Sequence, residues 1–351
     1  MGPRYALSTG ESLVAGYRKL GWWAIGLFVL FTVGTMFAII AAIVSVTSGI
    51  TGFIFGIQMD PALLSGAILI VATVLLLFGK YKLLDRLMSL VILLLSLSTV
   101  IAFALALGKG IPDPEPLNQI LDGAFLIMLV KLMGWMPAPL DISVWHSIWA
   151  IEKKSNSENH YNFKRAMRDF EIGYWGTMVM GMLFLGMGAL LLFNSGIQIP
   201  DNGVSFSQIL LSLYTSQLGT WAFGIVATAA LATMFSTTLT CLDAIPRSLA
   251  ETWKVAVPKS KFRPYPLLLA VLSMGSFMLL FLWGPSMVQM VDFATVLSFC
   301  ATPVIAFLNF KAMGIKTASG LKRLSKGEYF YAVVCLFALL GFTLWYLRLV
   351  A

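Results

Sequence analysis

Residues 134 to 141 read GWMPAPLD, with a methionine, two prolines and an aspartate set between the apolar flanks LDGAFLIMLVKLM and ISVWHSIWAI. Pro137 and Pro139 have no N–H to donate, and their rings collide with the preceding turn. Together they predict that a helix crossing this region opens near its middle. Carbonyls freed inside a bilayer cost several kcal/mol each unless they find partners. Such an opening survives inside protein or against a watery cavity, where the end of one half-helix and the unwound carbonyls can hold a cation. The plain alternative is a proline kink. Two prolines beside ionisable groups favour the site over the kink.

The side chains around the break differ in what they offer. Met136 presents a thioether, a soft ligand that suits soft or borderline transition metals and has little use for magnesium or calcium. The chain has 18 methionines, so its place at the break singles it out rather than its type. Met133, one turn earlier, would turn its carbonyl into the opening. Asp141 reads equally as a ligand or proton site and as the N-cap of the second half-helix. His146 is either a proton acceptor poised near neutral pH or a donor to a carbonyl. Lys131, within the first half, needs a carboxylate partner or a water-filled path, and Asp243 and Asp292 are candidates. No zinc-protease pair, nucleotide loop or serine elbow occurs, which argues against an enzyme and gives no cofactor a place to bind.

The elements that must position these residues are membrane helices. The 351-residue chain is 59% hydrophobic and 11% charged, less than half the charge of a soluble domain. Apolar runs mark nine predicted spans, at 22–46, 62–78, 87–107, 123–150, 172–193, 219–242, 264–283, 287–310 and 329–347. The run 202–242 is too long for one helix, and Phe206, Leu210 and Leu213 are spaced as in an interfacial helix. Paired glycines in TGFIFG and GMLFLGMG read as helix packing. Cys241, Cys300 and Cys335 are unevenly spaced within apolar runs and read as reduced packing residues.

A formal charge of +8 raises the question of nucleic acid, but nearly all of the 24 lysines and arginines fall in alternate connections. That pattern is the positive-inside signature of a lipid-embedded protein. It predicts a cytoplasmic N-terminus, an outside C-terminus and no nucleic-acid partner.

At WMP, followed by a half-helix with a histidine, the sequence resembles the Nramp family, which moves divalent metals such as manganese and iron together with protons. RYALSTGESLVAGYRKLGWW is similar to the end of that family's second helix and the entry to its third. The resemblance implies an all-α polytopic membrane protein with an incomplete inverted-repeat, LeuT-like fold: residues 1–107 a partial first repeat, 121–311 a complete second repeat with its broken helix at 121–151, and 329–350 an additional C-terminal helix. It implies Met136 and Met133 as metal ligands and Pro137 as the family's proline, and the family's later histidine matches His146 after a shift of about three residues; Asp141, His146 and Lys131 are the candidates for a substrate or proton path. The metal is then substrate, protons are the coupled partner, and the cell membrane is the location. Two departures stand out: Ala138 occupies the place of the family's first histidine, and the first broken helix, with its Asp-Pro-Gly motif, is missing. The resemblance therefore implies a fragment of a divergent transporter. A degenerate non-transporting relative, or a carrier of amino acids or another cation on the same fold, is the alternative.

Overall fold

The computed structural model describes residues 1–78, 82–108, 123–136, 138–156, 163–192, 200–284, 286–315 and 323–350. Pro137 lies outside the described residues. Within them the chain forms helices only: α1 (Gly2–Thr9), α2 (Leu13–Leu20), α3 (Trp22–Phe55), α4 (Pro61–Phe78), α5 (Lys82–Gly108), α6 (Gly123–Trp135), α7 (Ile142–Asn156), α8 (Phe163–Leu191), α9 (Gly203–Leu218), α10 (Phe223–Ala256), α11 (Tyr265–Trp283), α12 (Met287–Met313) and α13 (Lys326–Val350).

Eight helices, α3, α4, α5, α8, α10, α11, α12 and α13, are long and apolar enough to cross a membrane. The remaining expected crossing is the pair α6 and α7, of 13 and 15 residues, each too short to span a bilayer alone. This is a multi-pass integral membrane protein. Helix α3 lies at its centre, packed against α4, α9, α10, α11 and α12. Large apolar side chains such as Trp175, Phe330 and Leu282 stay exposed on α8, α13 and α11, as a lipid-facing surface requires.

Several helix ends differ from the expected spans, because hydropathy reports the thickness of the bilayer rather than the length of the helix. α3 runs on to Phe55 and stops at Gly56, which has φ 62 in the left-handed region. The second glycine of TGFIFG is thus a helix stop and not a packing residue, whereas Gly52 does pack, against Val204 of α9. The long run divides as expected into α9 and α10. The start of α9 lies close to α3, where a Cβ on Gly49 would fall 2.5 Å from the carbonyl carbon of Gly203. α10 continues through Pro246 to Ala256, so Arg247 and Lys254 sit on helix rather than on a loop. Cys241, Cys300 and Cys335 are free thiols.

Ion pairs tie charged residues of different helices together. Arg4 pairs with Glu328, Arg247 with Glu152 at 3.0 Å, and Lys153 with Asp169 at 3.4 Å.

One tight helix contact bears on the break itself. A Cβ on Gly134 of α6 would fall 2.0 Å from the carbonyl oxygen of Thr295 on α12, a rigid backbone atom. Gly134→Ala is therefore expected to push α6 off α12 and to cost about 1–3 kcal/mol. Thermal unfolding of the purified protein checks this. Gly173→Ala, at a glycine with open space around it, is the comparison that should change little.

Candidate cation site at the broken helix

Helix α6 ends at Trp135, and its last described bond runs from the Met136 N–H to the Leu132 carbonyl at 2.9 Å. The helical partners of the Met133 and Trp135 carbonyls would be the N–H groups of residues 137 and 139, and both are prolines. Two carbonyls are thereby denied their helical bonds. The spacing of four residues that identifies Met133 also identifies Trp135. The chain re-enters helix through a tight turn, with Ile142 N–H to Pro139 O at 3.2 Å, Ser143 N–H to Leu140 O at 3.1 Å and Val144 N–H to Asp141 O at 2.9 Å.

Both half-helices are anchored, which holds the break in place between them. On α6, Lys131, Gly134 and Trp135 share one face, and each meets α12. Lys131 Nζ donates to Asp292 Oδ2 at 2.6 Å, Gly134 abuts Thr295, and Trp135 Nε1 donates to Ser298 Oγ at 3.0 Å. Of the two candidate partners for Lys131, the structure thus selects Asp292. Asp243 is engaged instead by Arg247 and by the Tyr265 hydroxyl. On α7, Asn309 of α12 donates to Ser143 Oγ at 2.8 Å and accepts from the Tyr17 hydroxyl at 2.6 Å. The Leu13 N–H adds a bond to Ser147 Oγ at 3.0 Å, so α2 and α12 together fix the first turns after the break.

Met136 directs its thioether at α8, and a Cβ on Gly181 would fall 1.4 Å from the methionine's terminal carbon. Gly181 is therefore the recess that seats this side chain. The Met133 side chain is 37% exposed, and its carbonyl is the group it brings to the break.

Asp141 directly precedes α7. The N–H groups of Ser143 and Val144, which an N-cap side chain would serve, bond to backbone carbonyls. Its Oδ1 is buried without a hydrogen-bond partner and lines a small pocket of about 10 Å³ between α3, the break and α12. His146 makes none of the carbonyl hydrogen bonds described. Its ring packs edge-on against Trp149 and Phe170, with centroids 5.6 and 5.3 Å away. It faces a second, larger cavity of about 990 Å³, shared with Ala138, Pro139, Ser143 and Glu328.

The sequence-derived candidates thus separate into three places: Met136 on α8, Asp141 in the small pocket and His146 on the large cavity, with Lys131 held by Asp292. Among the described residues no group of three or more His, Cys, Asp or Glu gathers to hold a metal. The polar lining around Asp141, supplied by α3 and α12, had no signal in the linear sequence.

The larger cavity reaches the backbone of the break at Ala138, Pro139 and Leu140. Single cysteines at Ala138 and Leu140 are expected to react with a small aqueous thiol reagent. The measurement is best made in a Cys335→Ser background, since Cys335 lines the same cavity. Protection of both positions would mean a closed, merely kinked helix.

The chain resembles known proteins along its length. It is 34% identical over 315 residues to "Uncharacterized protein PM0681" of Pasteurella multocida (strain Pm70), an alignment covering 88% of this chain and 72% of that protein. A family model described as Nramp, natural resistance-associated macrophage protein-like, matches residues 1–348. That match takes in the anchored half-helices and every crossing around them, and the chain belongs to the Nramp family, membrane transporters rather than enzymes, for which the metal ion is substrate and no cofactor is required.

Proposed function

We propose that this chain takes part in moving divalent transition-metal ions of the manganese and iron type across the cell membrane, coupled to protons and by alternating access. The observation that carries the reading is the break itself. The Met133 and Trp135 carbonyls lose their helical partners there, beside the thioether of Met136, and both flanking half-helices are anchored to α12. Carbonyl oxygens and a thioether together suit a borderline ion better than calcium or magnesium. The distribution of basic residues supports a cytoplasmic N-terminus and an outside C-terminus.

In this reading Met136 and Met133 are metal ligands, Pro137 and Pro139 keep the backbone open, and Asp141, His146 and Lys131 belong to the substrate or proton path. One thioether and two carbonyls do not complete a coordination shell. We infer that further ligands, at least one of them anionic, complete the shell from outside the break. A second reading, a relative that no longer transports, draws support from the lack of a metal-holding acidic or histidine cluster among the described residues.

Competition uptake separates these readings. In a transport-competent form of the protein, manganese uptake into vesicles should be blocked by cadmium and iron, should barely respond to calcium or magnesium, and should rise with an inward proton gradient. Absence of manganese uptake in every form of the protein would favour the non-transporting relative.

A further inference from the structure

We propose that the pocket at Asp141 is a separate site for one small monovalent cation of sodium's size, held by oxygen ligands alone. The assignment goes beyond metal transport: it gives the Asp141 carboxylate a bound ion of its own beside the substrate or proton path. The pocket lies where three elements meet: the middle of α3 contributes Thr32 and Thr35, the break contributes Asp141, and α12 contributes Ser298 and Thr302. The rest of its lining is apolar.

Two polar groups there lack partners. Asp141 Oδ1 and Thr32 Oγ1 are both buried without a hydrogen bond, and Thr32 is only 5% exposed. A buried polar atom left unsatisfied is costly, and a buried charge without a counter-charge more so. None of the ion pairs among the described residues involves Asp141.

The neighbouring hydroxyls are arranged to accept. Thr35 donates its proton to the Phe31 carbonyl at 2.8 Å, and Thr302 donates to the Ser298 carbonyl at 2.9 Å. With those protons committed, each oxygen has only lone pairs left for the pocket. Ser298 Oγ already accepts from Trp135 Nε1, which ties the pocket to the end of α6. Lone pairs and a carboxylate around a small space suit a hard cation and repel an anion.

Size and charge narrow the ion. A volume of about 10 Å³ admits one water-sized body and no hydration shell. One carboxylate neutralises a monovalent ion, whereas a divalent ion would leave a buried positive charge. A lone water would satisfy hydrogen bonds but leave the carboxylate's charge uncompensated.

The test is ion-dependent stability of the purified chain in detergent, with tryptophan fluorescence following thermal unfolding, and it needs no transport. Choline chloride is replaced stepwise by sodium chloride at constant ionic strength. A site of this kind raises the unfolding midpoint with sodium until it saturates, since a ligand that binds the folded state stabilises it by mass action. Asp141→Asn should abolish the response, and Thr32→Val and Thr302→Val should each raise the half-saturating sodium concentration about tenfold. Equal midpoints in sodium and choline for the unmodified protein would overturn the proposal and leave a buried water or a protonated carboxyl in the pocket. A sodium response unchanged in both threonine variants would overturn it as well, by placing the ion elsewhere. Should Asp141→Asn fail to fold, the unmodified protein and the threonine variants still decide the matter.

Discussion

Met136→Ala is expected to reduce manganese and cadmium uptake about tenfold or more in a transport-competent form of the protein, and to relax its rejection of calcium. The reason is the difference in softness between what is lost and what remains. Without the thioether the break offers carbonyl oxygen alone, and oxygen discriminates poorly between a borderline transition metal and a hard alkaline-earth ion. The recess at Gly181 provides a second way to the same result. A Cβ there would overlap the methionine's terminal carbon, and because that carbon ends a flexible side chain, the thioether can swing aside at little cost to the fold. Gly181→Ala should therefore imitate Met136→Ala in selectivity while leaving thermal stability nearly unchanged. Gly188→Ala on the same helix, where a Cβ would meet nothing within 4 Å, should leave uptake as it was. Unaltered selectivity in both the Met136 and Gly181 variants would mean that the thioether only packs.

How much of this was legible in the sequence depends on how local each cause is. The break was legible because proline acts on carbonyls four residues back, within one stretch of chain. The membrane crossings were legible because apolar runs and alternating basic loops are each properties of short segments. The partner of Lys131 was not, since Asp243 and Asp292 are both acidic residues near span ends. The choice between them is made by the register of α6 on α12, set where Gly134 meets the Thr295 carbonyl. The environment of His146 was hidden for a similar reason: Phe170 comes from α8, and ring packing across helices leaves no local pattern. The pocket at Asp141 needs Thr32 and Thr302, 270 residues apart in the chain, and no spacing rule connects them.

The 351-residue chain reconstituted alone in liposomes is expected to give no divalent-metal uptake above protein-free vesicles. Borderline and hard divalent ions want about six ligands and compensation of their charge. The break supplies one thioether and the carbonyls of Met133 and Trp135, with no anion among them. Two carboxylates on helices packed against the half-helices are already engaged: Asp292 holds Lys131, and Asp243 holds Arg247 and Tyr265. Freeing Asp292 would leave Lys131 in the bundle without its ion-pair partner, at a cost comparable to the gain. Asp141 is in none of the ion pairs among the described residues, but its pocket takes one water-sized body between α3 and α12, whereas the sulfur of Met136 turns to the α8 side. The cavity of about 990 Å³ beside Ala138 and Pro139 is large enough for several side chains from another segment, and His146 and Glu328 on its wall give that segment polar groups to meet. Adding a segment that carries an interrupted apolar helix with a carboxylate at its break should accordingly restore uptake, and Met136→Ala should reduce what is restored about tenfold or more. Manganese uptake by the chain alone, lost on Met136→Ala, would overturn the expectation, because the whole ligand set and its negative charge would then have to lie within these residues.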